Sequence, residues 1–134
     1  LLGQTITKSH PALKKMAGML EEYAVEFSTQ VDVLLRRHGK QIHVRQFAQK
    51  RVADIAIDLF GMTCVLSRVT AAIEKAGGPE HCELELSIAQ AYFFDANRRI
   101  RANFKGMDRN ADESMKAVAK RLYELGQYPF DVIS

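Results

Sequence analysis

The stretch RVADIAIDLFGMTCVLSRVTAAI, residues Arg51–Ile73, is the most apolar part of this 134-residue chain. Its apolar residues recur every three or four positions, the spacing of a helix with one face in a core. A further apolar row runs along the same helix, and the two rows together predict that this helix is the most buried of the fold. The first row comprises Val52, Ile55, Leu59, Met62, Leu66, Val69 and Ile73, and the further row comprises Ala53, Ile57, Phe60 and Cys64.

Three other segments have the same spacing, and no stretch shows the sustained alternation of a strand. Their apolar rows are Leu13, Met16, Leu20, Tyr23, Phe27 and Leu34; Cys82, Leu86, Ala89, Phe93, Ala96, Ile100 and Phe104; and Ala111, Met115, Val118, Leu122 and Leu125.

Glycine and proline mark the boundaries between these segments. Pro11 suits a first helical position, Gly39 follows the first segment, and AGGP at residues 76–79 separates the second from the third. Gly106 predicts another break, and Gly126 closes the last helix. Asn110 followed by Glu113 is the pattern of a capping box. The prediction is an all-α, up-down antiparallel four-helix bundle at residues 10–126, with helices at about 10–38, 41–76, 79–105 and 110–125, a linker from an upstream core at 1–9 and a tail at 127–134.

The bulk composition is that of a globular protein, with 47% hydrophobic and 26% charged residues. A formal charge of only +3 argues against nucleic acid as a partner. Two cysteines form no disulfide framework, which predicts a reducing, intracellular compartment. The first ten residues lack an initiator Met and a long apolar run, so we expect a fragment without a signal peptide. We also expect no membrane span, because Arg51, Asp54, Asp58 and Arg68 would be costly in lipid.

Asp54 and Asp58 lie four residues apart on one helix face, so they repel each other mildly. They are either catalytic or metal-binding carboxylates, or charges of a structural helix. We favour the structural interpretation, in which Lys50 or Arg51 one turn earlier, or an arginine on a neighbouring helix, offsets each charge.

The sequence shows no strong catalytic, cofactor or metal site. A di-metal site in a helical bundle needs Glu-x-x-His motifs, and the chain contains none. Its four histidines fall at or near predicted helix ends, where capping is the common role. Cys82 beside His81 is a weak nucleophile candidate, because it also lies on an apolar row. A nucleotide-binding motif would place its glycines directly after a strand, and no predicted strand precedes AGGP.

A basic group crowds the end of the third predicted helix. It matches either the negative end of the helix dipole or an anionic partner, such as a lipid surface, a CoA-type phosphate or an acidic protein. Its members are Arg98, Arg99, Arg101, Lys105 and Arg109.

The run LLRRHGKQIHVRQFAQKRVADIAIDLFGMTCVLSRVTAAI, residues 34–73, resembles the extra C-terminal domain of very-long-chain acyl-CoA dehydrogenases and their complex I assembly paralogue. QKRVADIAIDLFGM and VLSR carry the resemblance most specifically, and HPALKKMAGMLEEYAVEF upstream resembles the segment that opens that domain. The likeness covers about residues 10–73. Beyond AGGP only the helical layout and helix order support it.

The resemblance implies an appended helical domain that contributes to subunit assembly. Its parent would be an FAD-dependent enzyme, a homodimer at full length, that oxidises fatty acyl-CoA to trans-2-enoyl-CoA through a catalytic glutamate and the flavin. The family's core motifs are absent from this chain, so we assign it no catalytic or cofactor-binding residue and expect it to be non-catalytic alone. The expected partners are the parent's core and an anionic membrane surface. The expected compartment is the bacterial cytoplasm, or the mitochondrial matrix or inner-membrane face.

Two alternatives remain open at this point. One is a free-standing helical-bundle adaptor that binds an acidic partner or an anionic membrane through its basic face. The other is a self-contained bundle enzyme, which the missing ligand motifs disfavour.

Overall fold

The structure, a computed structural model, describes residues 5–130. Within that range every regular element is helical: α1 (Lys14–His38), α2 (Gln46–Ala76), α3 (Glu83–Asp108) and α4 (Asp112–Leu125), with short 3-10 turns at Pro11–Leu13, Gly39–Val44 and Pro79–His81. The predicted all-α class with four helices is confirmed. Residues 1–4 of the predicted linker and 131–134 of the predicted tail lie outside the described part.

Three of the predicted helix ends use glycine in a left-handed conformation. The φ angles are +51° at Gly39, +83° at Gly77 and +68° at Gly126, and each residue follows the last residue of a helix. A side chain with a Cβ adopts such angles only at a cost, which is why glycine suits these positions.

The predicted break at Gly106 is wrong, because α3 continues through it to Asp108. A Cβ atom at Gly106 would lie 2.9 Å from the Nε atom of Arg51. Glycine at this position therefore gives room to an arginine from α2 and does not end the helix.

The core forms between α1, α2 and α3, and the predicted rows of these helices supply it. Its most deeply buried large side chains are Leu13, Ile55, Met62, Ile73 and Ile100. Met16, Phe27, Val52, Leu59 and Leu86 pack against it partly buried. The N-terminal segment is tied to this core, because the His10 backbone N–H donates to Thr70 Oγ1 at 3.1 Å.

The helix α2 has the most buried residues of the four helices, as predicted, but its further apolar row does not contribute to them. Ile57 is 67% exposed and Phe60 72% exposed, and Ala53 and Cys64 are also exposed. At 3.6 residues per turn, this row lies on the side of α2 opposite the first row, which faces the core and is called the core row below. With α1 and α3 both packed against one side of α2, the described chain offers nothing to cover the other side.

By length and composition alone, α2 is long and apolar enough to cross a membrane. The core helix of a soluble protein meets the same criteria. Seven α2 side chains are buried inside the fold, and one of them is the carboxylate of Asp58. One third of the apolar window of α2 is buried inside the fold.

The fourth helix is present, but its apolar row does not enter the core. No residue of α4 is buried, and Met115 and Val118 are 55% and 59% exposed. The spacing along α4 correctly indicated an amphipathic helix, whereas the surface that would cover its apolar side is absent from the described residues.

We expect Ile55→Ala to lower the free energy of unfolding by about 2–5 kcal/mol, because it leaves a cavity in the core. Val25→Ala on α1 removes a side chain that is 44% exposed, so its effect should stay within about 0.5 kcal/mol. Chemical denaturation of both variants checks this difference. Equal losses would contradict the assignment of the core.

Candidate functional site

Asp58 is a buried charge with a partner on the neighbouring helix. Its side chain is 9% exposed, and Arg99 of α3 donates to it from Nε at 3.0 Å and from Nη2 at 2.8 Å. Arg99 also donates from Nη1 to Asp95 at 3.3 Å. The hydrogen bonds from its guanidinium to Asp58 raise the pKa of Arg99 above its usual value. Both of these bonds to Asp58 end on Oδ1, and a longer one from Nε to Oδ2 at 3.2 Å engages the second oxygen, so that the pair joins α2 to α3.

Asp54 has a different setting, although it lies only one turn away. It accepts a hydrogen bond from Lys50 Nζ at 2.5 Å, and the side chains of Lys50 and Asp54 are 70% and 37% exposed. The two aspartates therefore have separate cationic partners. The arrangement supports the structural interpretation of both residues and offers no shared carboxylate site.

Arg51 makes a contact that the sequence did not indicate. Its Nη1 and Nη2 atoms donate to the two oxygens of Asp112 at 2.7 and 2.6 Å, and both side chains are less than one-fifth exposed. The hydrogen bonds from Arg51 lower the pKa of Asp112, and the same bonds raise the pKa of Arg51. Arg45 adds a second link to α4, since its Nη1 donates to Glu113 at 2.7 Å. Two ion pairs thus hold the first turn of α4 against α2.

The predicted capping box forms only in part. The N-cap of α4 is Ala111, which has no capping side chain, and Asn110, one residue earlier, accepts from the Asp112 backbone N–H through Oδ1 at 3.2 Å. Glu113 does not return the bond to the Asn110 backbone, because its carboxylate binds Arg45 and Lys116 instead.

The nucleophile and metal hypotheses gain no support from the described residues. Burial, followed by the negative charges of Glu85 and Glu80, raises the pKa of the Cys82 thiol and disfavours the reactive thiolate. Within residues 5–130, no three side chains of His, Cys, Asp or Glu form a group that could hold a metal ion. His10 caps the first 3-10 turn, accepting from the Ala12 N–H at 3.1 Å.

The basic group splits into structural and solvated members. Arg99 binds Asp58, Arg98 contacts Asp95 at 3.4 Å, and Arg101 donates from Nε to Tyr23 Oη at 3.0 Å. Lys105 and Arg109 form no ion pair with any residue in the described range. Binding of an anionic partner by this group stays a prediction.

The further apolar row of α2 faces away from the core and is exposed to solvent. We call it the outer face, and it consists of Ala53, Ile57, Phe60 and Cys64. Such an exposed apolar surface is typical of a domain that packs against another.

A family model described as "ACAD9/ACADV, C-terminal domain" matches residues 11–128. The chain belongs to this family. It is similar to the mitochondrial very long-chain specific acyl-CoA dehydrogenases of Rattus norvegicus, Bos taurus and Homo sapiens, each 29% identical over 122 residues. The matches cover 87% of this chain and 18% of each relative. The family resemblance in the sequence is thus confirmed, and it extends beyond residues 10–73 into the second half.

We expect Asp58→Asn to lower the free energy of unfolding by about 1–3 kcal/mol, because Arg99 loses its anionic partner. The cost stays below that of a fully buried pair, since the Arg99 side chain is 38% exposed and solvent screens its charge. Asp54→Asn is the matched control, with an expected change of about 0.5 kcal/mol or less. Thermal melting of both variants measures the difference.

The lowered pKa of Asp112 gives the position of α4 a defined pH dependence. A carboxyl group with a lower pKa in the folded state stabilises that state above its unfolded pKa of about 3.9. The stabilisation is lost as the pH falls through the folded pKa, so acid should loosen α4. Hydrogen exchange of the α4 amides at neutral and acidic pH tests this, with Asp112→Asn as the control. Similar acid-induced loosening in that variant would show that another group is responsible.

Proposed function

We propose that this chain is the C-terminal assembly domain of an FAD-dependent acyl-CoA dehydrogenase, and that the outer face packs against the dehydrogenase core. The parent would convert fatty acyl-CoA to trans-2-enoyl-CoA and function as a homodimer. Membership of the C-terminal domain family supports the class of the parent enzyme. The match covers only 18% of a related dehydrogenase, so a parent of similar length would contain a separate core.

The exposure of the outer face is the observation that carries this proposal. A large aliphatic and an aromatic side chain, Ile57 and Phe60, are 67% and 72% exposed on α2. Burying such side chains yields about 1.5–3 kcal/mol each. A partner that covers them would gain this energy, and the adjoining core of the same protein is the partner that family membership makes available.

The chain contributes no catalytic or flavin-binding residue in this proposal. Its buried polar contacts, Asp58 with Arg99 and Arg51 with Asp112, are paired within the chain and join helices. The catalytic glutamate and the flavin contacts would belong to the parent's core. FAD would accept hydride from the substrate there, and this domain would act on the reaction only through assembly.

We infer a mitochondrial location, in the matrix or at the inner membrane, from the mitochondrial dehydrogenases that the chain resembles. The surface consistent with contact to anionic lipid is the solvated part of the basic group, Lys105 and Arg109. An adaptor that works without a dehydrogenase core would rely on the same two residues.

The packing proposal is tested by Ile57→Asp in two contexts. In the 134-residue chain the variant should change the free energy of unfolding by no more than about 0.5 kcal/mol, because the side chain is solvated. In the full-length protein it should release the domain from the core, which limited proteolysis detects as faster cleavage between the two. Val25→Asp on α1 is the matched control. Unchanged cleavage of the full-length Ile57→Asp protein contradicts the proposed packing face.

A second measurement separates the assembly domain from the adaptor. The purified chain should show no flavin absorbance and no dehydrogenase activity, and a stoichiometric flavin band would overturn the non-catalytic assignment. Liposome flotation with the Lys105→Glu, Arg109→Glu double variant tests the basic surface without disturbing Arg99 or Arg101. Strong, salt-sensitive binding that this variant abolishes would favour the adaptor.

A further inference from the structure

A groove between α1 and α3, separate from the outer face of α2, carries five charged side chains. It has a volume of about 840 Å³, which lies within the range of about 300–1,000 Å³ common for small-molecule sites. Three cations, Lys14, Lys15 and Arg101, and two acids, Glu22 and Glu26, line it. None of the five forms an ion pair with any residue in the described range. The groove therefore holds charges that are available to a ligand.

Arg101 is held in a defined orientation at this groove. Its Nε atom donates to Tyr23 Oη at 3.0 Å and to Asn97 Oδ1 at 3.1 Å. The Tyr23 hydroxyl itself donates to Asn97 Oδ1, and Tyr23 is only 6% exposed, so the support for the arginine is anchored in the core. The terminal nitrogens Nη1 and Nη2 of Arg101 have no hydrogen-bond partner among residues 5–130. Two such N–H groups side by side match the oxygens of a phosphate.

Glu22 and Glu26 restrict what else the groove accepts. They lie on α1 before and after Tyr23, and both are exposed. An ionised carboxylate only accepts hydrogen bonds, so each acid favours a ligand that presents hydroxyl groups. An extended anionic surface such as a membrane would instead bring its own charge against both acids. A small ligand avoids this repulsion, because it can place its phosphate on Arg101 and its hydroxyl groups on the acids.

Gly18 leaves open space in the wall of the groove. A glycine inside a helix lowers the stability of the helix relative to alanine. A Cβ atom at Gly18 would meet no atom within 4 Å in the described part of the chain, apart from its chain neighbours and the backbone of its own helix. Packing within the chain therefore does not require glycine here. Glycine does allow the close approach of a ligand, and Met19 beside it offers a partly buried apolar contact.

We propose that the α1–α3 groove binds a small phosphorylated compound with hydroxyl groups, of the size and chemistry of a nucleotide. The phosphate lies on the guanidinium of Arg101, the sugar hydroxyls donate to Glu22 or Glu26, and the base lies over Gly18 and Met19. The proposal stands on this groove alone, and it does not depend on the packing of the outer face against a dehydrogenase core.

The three contacts follow one another along α1 in the order that such a ligand needs. Tyr23, which holds Arg101, lies about 7.5 Å beyond Gly18 along the helix axis, and the first of the two acids lies between them. Lys14 and Lys15 lie at the other end of the groove lining. They add long-range attraction for an anion.

NMR titration of the isotope-labelled 134-residue chain with adenosine monophosphate (AMP) is the test. AMP should bind saturably and shift the Nε–H resonance of Arg101 more than that of Arg98, which contacts Asp95 on the same helix. Arg101→Lys keeps the charge but removes the pair of terminal N–H donors, so it should weaken AMP binding at least about tenfold. Arg98→Lys is the matched control and should leave the affinity unchanged.

Gly18→Leu separates binding from folding. Leucine is a stronger helix former than glycine, and it would occupy the open space of the groove. The variant should melt at or above the temperature of the wild-type chain and yet lose AMP binding. A Gly18→Leu chain that binds AMP as tightly as the wild type would contradict the proposed position of the ligand.

Related probes identify the chemistry of the ligand. Adenosine, which lacks the phosphate, and inorganic phosphate, which lacks the sugar and base, should each bind at least about tenfold more weakly than AMP. Dideoxy-AMP, which lacks the sugar hydroxyls, should also bind more weakly than AMP. This difference between AMP and dideoxy-AMP should disappear in the Glu22→Ala, Glu26→Ala double variant, because the acids that accept from the hydroxyls are gone.

Several results would overturn the proposal. They are the absence of saturable AMP binding, equal weakening by Arg101→Lys and Arg98→Lys, and equal affinity for AMP and inorganic phosphate. Vesicles of phosphatidylglycerol test the lipid source of the same phosphate chemistry. Vesicle binding that Arg101→Lys abolishes and the Lys105→Glu, Arg109→Glu double variant retains would assign the groove to a membrane surface and overturn the soluble ligand.

Discussion

The packing of α2 against α3 around the Asp58–Arg99 ion pair is the constraint on which the rest of the structure depends. A buried carboxylate is tolerated only when charge and hydrogen bonds compensate its lost hydration, and Arg99 supplies both. The pair fixes which side of α2 faces α3. Because the core row occupies that same side, the further apolar row is directed to solvent, and the exposed outer face is a consequence of this arrangement.

A second polar contact determines the position of the fourth helix. Arg51 reaches α4 by passing close to Gly106, where any larger residue would obstruct it. The bidentate pair with Asp112 fixes the start of α4, and the remainder makes little contact with the core. The fold is thus a three-helix core with an amphipathic fourth helix attached through its first turn. Such a construction suits a domain whose apolar surfaces are completed by other parts of an assembly.

The chain belongs to the family of C-terminal domains described above, and its structure shows where charges are paired and where apolar surface is exposed. The contacts that carry charge inside the chain join helices, and the described residues contain no group that could hold a metal. Exposed apolar surfaces lie on α2 and α4. Exposed apolar surface of this kind is the observation on which the proposed role in assembly within an acyl-CoA dehydrogenase rests.

The sequence by itself determined the helical class, the left-handed glycines at three helix ends and the core rows of α1, α2 and α3, because periodicity and glycine conformation are local properties. It also anticipated an arginine from a neighbouring helix near the aspartates. Only the tertiary structure decided which of the two α2 rows is buried, since periodicity identifies apolar sides without naming their partners. The Arg51–Asp112 contact, between residues 61 positions apart, and the exposed side of α4 likewise depend on how helices are placed in space.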